Sequence, residues 1–253
     1  MTSPSLPRLV AGGVLDAQLA ALAWLLLEDG VPVHVGGPGH GKRGGRDGDD
    51  GRDALLDALV AALPPDRRPD PSAPVAERRL VRVAGSLAIS TPPGTLRAAI
   101  SATTGRSGLA TTIEATDLAE VLDVLRGQGL ADDEISFLGA VLVLGTEGEP
   151  GVGPRGGTGG SLARAVAAHY LRPVARDAGG HIQRLSPAIL ATWDPDRSQY
   201  DHFAWGIYPE LAARTGRRAG DLEREHLDRA ERLDRAERLC PEAPLGPARG
   251  DTA

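Results

Sequence analysis

Apolar side chains recur with two spacings along the chain, and the order of these spacings predicts an α/β fold. Apolar residues at helical spacing indicate helices over residues 17–28, 54–63, 95–102 and 117–126. Short apolar runs typical of buried strands begin at residue 31 and occupy residues 80–89, 109–113 and 140–144. Because strands and helices alternate, we expect a mainly parallel sheet with covered faces, and the run at 80–89 is typical of a central strand.

Several of these helices carry recognisable end signals. Asp16, Asp53 and Asp117 stand where N-caps should, since a carboxylate there can accept a hydrogen bond from a free backbone N–H group. Gly30 and Pro64 follow two of the helices as stop signals. The helix at 17–28 therefore leads directly into the strand that begins at residue 31.

The C-terminal part of the chain has a different pattern. Residues 162–174, 181–192 and 199–205 alternate like antiparallel strands, and a charged helix is predicted over 219–239. That helix contains a tandem LDRAER with acid-to-base pairs four residues apart, and its six-residue leucine spacing makes no heptad seam. We therefore expect a solvated helix that docks loosely on the domain.

Five of the eight aromatic residues fall close together in this C-terminal part. They are Trp193, Tyr200, Phe203, Trp205 and Tyr208. The favoured interpretation is one aromatic mini-core that fixes the terminal sheet to the domain, because buried aromatic pairs stabilise such contacts. A protein-binding surface is the alternative.

The strongest chemical motif follows the first apolar run, where residues 31–43 read VPVHVGGPGHGKR. Gly36, Gly41 and Lys42 match the first seven positions of the phosphate-binding loop G-x-x-x-x-G-K, in which backbone N–H groups cradle phosphate oxygens. A glycine-rich turn after any strand is the alternative. The predicted nucleotide-binding residues are Gly36, Gly37, Pro38, Gly39, His40, Gly41, Lys42 and Arg43.

The eighth position of the motif departs from the pattern. It is Arg43, where a Ser or Thr hydroxyl would bind Mg²⁺, and a guanidinium has no lone pair for a metal. Lys42 is the one lysine among 28 Lys and Arg residues, which favours a specific role for it. The loop therefore suits the phosphates of ATP or ADP, with Mg²⁺ doubtful as a ligand.

The segment after Lys42 is acidic and glycine-rich, reading RGGRDGDDGRD over residues 43–53. A phosphate-binding loop normally runs straight into a helix, whose N-terminus faces the anion. Either this segment loops out and the helix still starts at Lys42, or the phosphate cradle is damaged. A calcium loop is not favoured, because Gly51 falls at a ligand position, and we predict a solvated, mobile loop.

Four stretches carry a resemblance to a known family: DAQLAALAWLLLEDGVPVHVGGPGHGK, LVRVAGSL, LATTIEATDLAEVLDVL and RAVAAHYLRPVARD. Together they resemble the RecA-like ATPase domain of the type II/IV secretion and type IV pilus motor superfamily. The resemblance implies a RecA-like P-loop NTPase core, with C-terminal antiparallel strands and a terminal helix. Motors of this family are commonly hexameric rings, so the resemblance implies a homo-oligomer or protein partners.

The chain departs from that family at residues that support hydrolysis. Ser86 stands where the family has a catalytic glutamate, Glu114 stands where it has a histidine, and residues 64–79 hold no counterpart of its acidic box. Glu114 is considered as a replacement carboxylate, but the favoured interpretation is an exposed polar residue at a strand end. Without these groups phosphoryl transfer loses most of its electrostatic stabilisation.

Three functional hypotheses follow from these departures. The first is nucleotide binding with weak or no hydrolysis; the second is a nucleotide-free pseudo-ATPase scaffold; the third is an active secretion motor. The predicted organisation is a leader at 1–13, a P-loop ATPase-like core at 14–145, a glycine-rich loop at 146–161, antiparallel strands at 162–208, a charged helical tail at 209–240 and a disordered end at 241–253.

The composition of this chain of 253 residues narrows its possible partners and its cellular location. A net charge of -6 disfavours nucleic acid as a partner, and one cysteine, Cys240, fits a reducing compartment. The longest apolar run, residues 19–27, is too short to span a bilayer, so the cytoplasm is the expected location.

Two further patterns carry no predicted site. A G-x-G-x-x-G at 151–156 precedes a strand-like stretch, which argues against a dinucleotide site. His169, His181 and His202 lack metal-ligand spacing.

Overall fold

A mixed sheet of seven strands forms the centre of the protein, as a computed structural model shows. The structure describes residues 4–38, 51–70, 72–74, 79–101, 108–145, 163–176, 179 and 182–239. The strands are β1 (Val33–Gly37), β2 (Leu80–Leu87), β3 (Gly108–Glu114), β4 (Gly139–Gly145), β5 (Arg164–Leu171), β6 (Ala175–Arg176), β7 (Ile182–Gln183), β8 (Ala188–Asp194) and β9 (Gln199–His202). Strands β6 and β7 form a separate two-stranded ribbon.

The helices begin and end close to the predicted positions in most of the chain. They are α1 (Leu6–Ala11), α2 (Ala17–Glu28), α3 (Gly51–Ala62), α4 (Thr95–Ser101), α5 (Leu118–Gly127), α6 (Asp132–Ser136), α7 (Tyr208–Thr215) and α8 (Ala219–Leu239). Two predicted N-caps are confirmed, because Asp16 accepts a hydrogen bond from the Leu19 N–H and Asp117 accepts one from the Glu120 N–H.

The main sheet runs in the order β2-β3-β1-β4-β5-β8-β9. Strands β2, β3, β1 and β4 pair in parallel, whereas β5, β8 and β9 add in antiparallel fashion. The predicted α/β class is therefore confirmed, with antiparallel strands and a terminal helix at the C-terminal end. The predicted strand at 181–192 is broken, since residues 184–187 separate β7 from β8.

The prediction that residues 80–89 form a central strand is wrong. Strand β2 lies at the edge of the sheet, and among the described strands it pairs with β3 alone. Only Leu80, Val83 and Leu87 of its eight residues are buried, Arg82 faces carboxylates of α3, and its register shifts near Gly85, whose φ is +74°. An edge position suits this strand, because edge strands tolerate charged side chains and bulges.

Two apolar cores cover the two faces of the sheet. Helices α1, α2, α3, α7 and α8 contribute to the core on the first face, together with Val33 and Val35 of β1. Helices α4, α5 and α6 contribute to the core on the second face, together with Val141 and Val143 of β4. The sheet is thus covered on both sides near β1, as expected for parallel strands.

The N-terminal segment belongs to the first core, although the sequence suggests a leader over residues 1–13. Leu6, Leu9 and Val10 of α1 are buried, and the helix packs against α3 and α8. Their spacing of three and four residues is that of one helical face. The helix was missed because it is short and Gly12 and Gly13 follow it directly.

Helix α8 is docked firmly, which corrects the expectation of a solvated tail. Its inner face consists of Leu222, His226, Arg229, Ala230 and Leu233, all of them buried. Arg229 lies over the Trp24 ring at 4.4 Å from the centroid, and its Nη1 is 2.8 Å from a Glu28 carboxylate oxygen. The apolar spacing does not reveal this face, because two of its five members are polar.

Helix α8 allows a matched test of this docking. We expect Leu233→Ala to lower the free energy of unfolding by about 2 kcal/mol, because it removes buried methyl groups. Leu227→Ala serves as the control, since that side chain is 50% exposed, and should change it by less than about 0.5 kcal/mol. Urea unfolding of both variants measures the difference; equal losses would contradict the docked arrangement.

The C-terminal aromatic residues do not form the single mini-core that was predicted. Trp193 and Tyr200 meet edge to face with ring centroids 5.1 Å apart. Tyr208 instead contacts His226 of α8, with its hydroxyl 2.6 Å from Nδ1. Phe203 and Trp205 are exposed, Trp205 by 72%. The aromatic residues therefore divide into a half-buried contact, a buried contact and two exposed side chains.

Candidate functional site

The carboxyl ends of β1 and β3 form the point at which the chain leaves the sheet toward opposite faces. Helix α3, next along the chain after β1, packs in the first core, and α5, next after β3, packs in the second. Gly37 and Glu114 are register partners, so the two strands end side by side. In open α/β sheets ligands bind in the crevice at such a switch point.

Strand β1 carries the start of the predicted phosphate-binding motif into this crevice. Gly36 and Gly37 are its last two residues, and Pro38 follows them. A Cβ on Gly36 would lie 3.2 Å from Val121 Cγ2, so this glycine permits close approach of α5. The other predicted nucleotide-binding residues, Gly39, His40, Gly41, Lys42 and Arg43, lie outside the described residues.

Arg52 lies inside the crevice rather than in solvent. Its side chain is 1% exposed, and Nη1 donates to the carbonyl oxygens of Gly37 at 3.1 Å and Ile113 at 3.0 Å. A Cβ on Gly37 would lie 2.9 Å from Arg52 Cγ, so a glycine is needed there for the arginine to fit. The guanidinium therefore joins the ends of β1 and β3 to the first turn of α3.

The buried position of Arg52 shows that the prediction of a solvated loop over residues 43–53 is wrong at the end of that segment. Helix α3 includes Gly51, Arg52 and Asp53, whereas the rest of the segment lies outside the described residues. Asp53 is consequently inside the first helical turn and not its N-cap. Its carboxylate accepts a hydrogen bond from Thr112 Oγ1 at 3.3 Å and lies 3.6 Å from Arg82 Nη2.

Glu114 is the one acidic residue at the end of β3. Its side chain is 37% exposed, and a carboxylate oxygen lies 4.0 Å from Arg52 Nη2, at the limit of an ion pair. The structure thus places Glu114 beside Gly37, as a replacement carboxylate would require, and at the limit of an ion pair with the buried Arg52 guanidinium. The sequence favours an exposed polar residue at a strand end for Glu114, and this prediction did not include the contact with Arg52.

Ser86 occupies the strand position where the resembled family has its glutamate. It is the register partner of Thr112, so it lies on the same face of the sheet as the Asp53 carboxylate. Its hydroxyl is buried and has no hydrogen-bond partner among the described residues. A neutral hydroxyl here cannot polarise an attacking water as a carboxylate would.

Four of the six histidine residues lie in the described part of the chain, whereas His40 and His181 lie outside it. His34 lies in β1, with Nε2 2.9 Å from the Leu138 carbonyl oxygen, and burial lowers its pKa to about 4. His202 contacts the Asp16 carboxylate at 2.7 Å, whereas burial lowers the pKa of His169 in β5. Within the described ranges no three His, Cys, Asp or Glu side chains converge as metal ligands.

A second concave surface, between α5, α6 and the end of β5, is less suited to an anion. Three arginines line it beside an apolar floor. Arg126 and Arg184 both contact the Asp132 carboxylate at 3.1 Å, and Arg172 pairs with Glu210. Each cation is thus already matched by a carboxylate, so the strand-end crevice is the stronger candidate site.

Two comparisons with known proteins give no relative from which a function could be inferred. No protein-family model and no curated protein matches the chain. The part of the chain that the structure describes includes no helix with the length and apolar character needed to cross a membrane.

Proposed function

We propose that this protein binds a nucleoside di- or triphosphate, ATP or ADP, through the loop that follows β1. The observation that carries the proposal is the position of β1, between β3 and β4 at the switch point of the sheet. The sequence G-x-x-x-x-G-K begins within this strand, so the motif starts where α/β folds bind ligands. A strand before the motif is the structural context that a phosphate-binding loop requires.

The proposed activity is binding with weak or no hydrolysis. Arg43 offers no metal-binding oxygen, and Ser86 leaves the end of β2 without a carboxylate. Glu114 is an acidic residue at the neighbouring strand end, but it contacts Arg52 and lies on β3 rather than β2. Because phosphoryl transfer depends on a metal and on an oriented nucleophile, each departure slows the chemical step.

A relation to the secretion and pilus motors belongs to the same proposal. The alternation of strands and helices around β1 supports a RecA-like core, and the antiparallel strands β5, β8 and β9 extend it. A regulatory or structural partner of such a motor is the role that suits a nucleotide-binding protein with poor hydrolysis.

Thermal unfolding with and without ATP tests the proposal. We expect ATP to raise the melting temperature of the wild type and not that of Lys42→Ala, since a ligand that binds the native state stabilises it by mass action. Arg235→Ala, which removes an exposed cation of α8, is the matched control and should keep the shift. A wild type that ATP does not stabilise would exclude the proposal.

Lys42 also permits a direct chemical test, because it is the only lysine of the chain. An acyl-phosphate derivative of ATP transfers its acyl group to a lysine amine beside the bound phosphates. Mass spectrometry should find the label on Lys42, with protection by excess ATP. Labelling that excess ATP leaves unchanged would count against a nucleotide site.

A second candidate function is a scaffold that acts through protein contacts without nucleotide. The observation that favours it is the exposed pair Phe203 and Trp205, since exposed aromatic residues are enriched at interfaces. The same unfolding experiment separates the two candidates, because the scaffold requires no ATP-dependent stabilisation. Measured ATP turnover that is lost in Lys42→Ala would instead support an active motor.

A further inference from the structure

The second concave surface lies at the opposite end of the sheet from the strand-end crevice. Leu171, at the end of β5, is the register partner of Gly139, the first residue of β4, so this surface is at the amino ends of the parallel strands. We infer that it binds a small uncharged molecule in which an apolar body carries a carbonyl oxygen, an aromatic amide or ketone. This site goes beyond the nucleotide site of the strand-end loop and is independent of it.

An apolar floor gives this surface its affinity for an apolar body. Ile135 and Leu171 are buried members of the second core, and Leu122 packs against that core from α5. Arg184 and Leu185, from the segment that connects β7 to β8, also line the concavity, and Leu185 is 36% exposed. The concavity measures about 570 Å³, with the solvent at its open side included, which is a typical size for a site of one small ligand.

Charge balance around the concavity disfavours an ion as the ligand. Three cations and three carboxylates pair with one another there: Arg126 with Asp123 and Asp132, Arg172 with Glu210, and Arg184 with Asp132. Both Asp132 oxygens are occupied, because one accepts Arg126 Nε and the other accepts Arg184 Nη1, each at 3.1 Å. A ligand anion would compete with these carboxylates, and a ligand cation would compete with these guanidinium groups.

The N–H groups that the ion pairs leave over match a carbonyl oxygen. Within the described ranges Arg184 donates through Nη1 alone, to Asp132, although a guanidinium has further N–H donors. Ser136 is already satisfied, since its hydroxyl donates to the Asp133 carbonyl oxygen at 2.6 Å and accepts the Val174 N–H at 3.3 Å. A hydrocarbon would remove water from the guanidinium donors without replacing its hydrogen bonds, whereas a carbonyl oxygen replaces them without adding charge.

Fluorescence titration of the purified full chain with Prodan, an uncharged naphthyl ketone, tests the inference. The emission of this dye moves to shorter wavelength when the dye leaves water. We expect saturable binding to the wild type, and naphthamide should displace the dye at a concentration at least about fivefold lower than naphthoate requires. The two competitors have nearly the same shape, so the difference between them measures the effect of the charge.

Two substitutions test whether the dye occupies this surface. Leu185→Asp puts a carboxylate beside the apolar floor, and Arg184→Met removes the N–H donors but keeps an apolar stem, so each should weaken Prodan binding at least about fivefold. Leu227→Asp and Arg235→Met make the same changes on α8 and should bind the dye like the wild type. Arg235 is a close match, because it and Arg184 are both 64% exposed.

The outcomes are distinguishable from one another. Weaker binding in both variants with unchanged controls supports the inference. Prodan binding that is equally strong in Leu185→Asp and Arg184→Met lies elsewhere on the protein and overturns it, as does a wild type without saturable binding. Tighter binding of naphthoate than of naphthamide overturns the uncharged class. If circular dichroism shows a variant to be unfolded, the competitor pair decides on the wild type. Nucleotide binding is measured separately, by the ATP-dependent melting temperature.

Discussion

Gly139→Ala should destabilise the fold by about 4 kcal/mol or more, the largest effect of a single methyl group that we expect in this protein. Gly139 opens β4 with a φ of +77°, which costs an alanine about 1 kcal/mol. The added Cβ would overlap the Pro32 carbonyl oxygen and come within 2.8 Å of Val31 Cγ1. That carbonyl accepts the Ala140 N–H at 2.9 Å, so relieving the overlap would disturb the start of the β1–β4 pairing.

Gly129→Ala is the matched control for this prediction. Gly129 has nearly the same φ, +81°, but a Cβ there would meet no atom within 4 Å. It should therefore lose about 1 kcal/mol, the cost of the left-handed backbone alone. Urea unfolding gives both losses directly. Similar values for the two variants would show that β1 and β4 can separate without penalty.

Acidification should weaken the protein through His34, by about 3 kcal/mol in all. Burial against the second core lowers the pKa of His34 to about 4, whereas an unfolded chain has a histidine pKa of about 6.5. Between these values the unfolded state binds more protons, so stability falls as the pH falls. About 2 kcal/mol of this loss should be visible between pH 7 and pH 5.

His34→Asn separates this histidine from the other titrating groups. An asparagine does not titrate in this range and still offers an N–H donor to the Leu138 carbonyl, which His34 contacts at 2.9 Å. The variant should lose most of the pH dependence between pH 7 and 5, whereas His169→Asn should lose less, since His169 is less buried. The measurement is urea unfolding at several pH values. An unchanged slope in His34→Asn would refute the assignment.

Those parts of the fold that depend on local sequence were predictable. Asp16 and Asp117 cap their helices as expected, because capping requires only a carboxylate and the next three residues. The edge position of β2 was not predictable in this way. Strand order is set by contacts between distant segments, and an apolar run looks similar at the centre and at the edge of a sheet.

The candidate site was predicted in part. The sequence indicates where the phosphate-binding motif begins, and the structure places Gly36 and Gly37 at the switch point. Arg52 was missed because an arginine in an acidic, glycine-rich segment is normally solvated. Its burial becomes favourable only where two strand-end carbonyls and a side-chain-free Gly37 meet it, which no local pattern reveals.

The packing of α1 against α8 has a consequence for biosynthesis. Leu6, Leu9 and Val10 are made early, yet their partner helix begins only at Ala219. At a translation rate of about 5–20 residues per second, roughly 10–40 seconds pass before that partner exists. During this interval α3 can cover only part of α1, and the apolar surface that α8 covers in the folded protein stays exposed, which makes the nascent chain a substrate for chaperones until the last helix is synthesised.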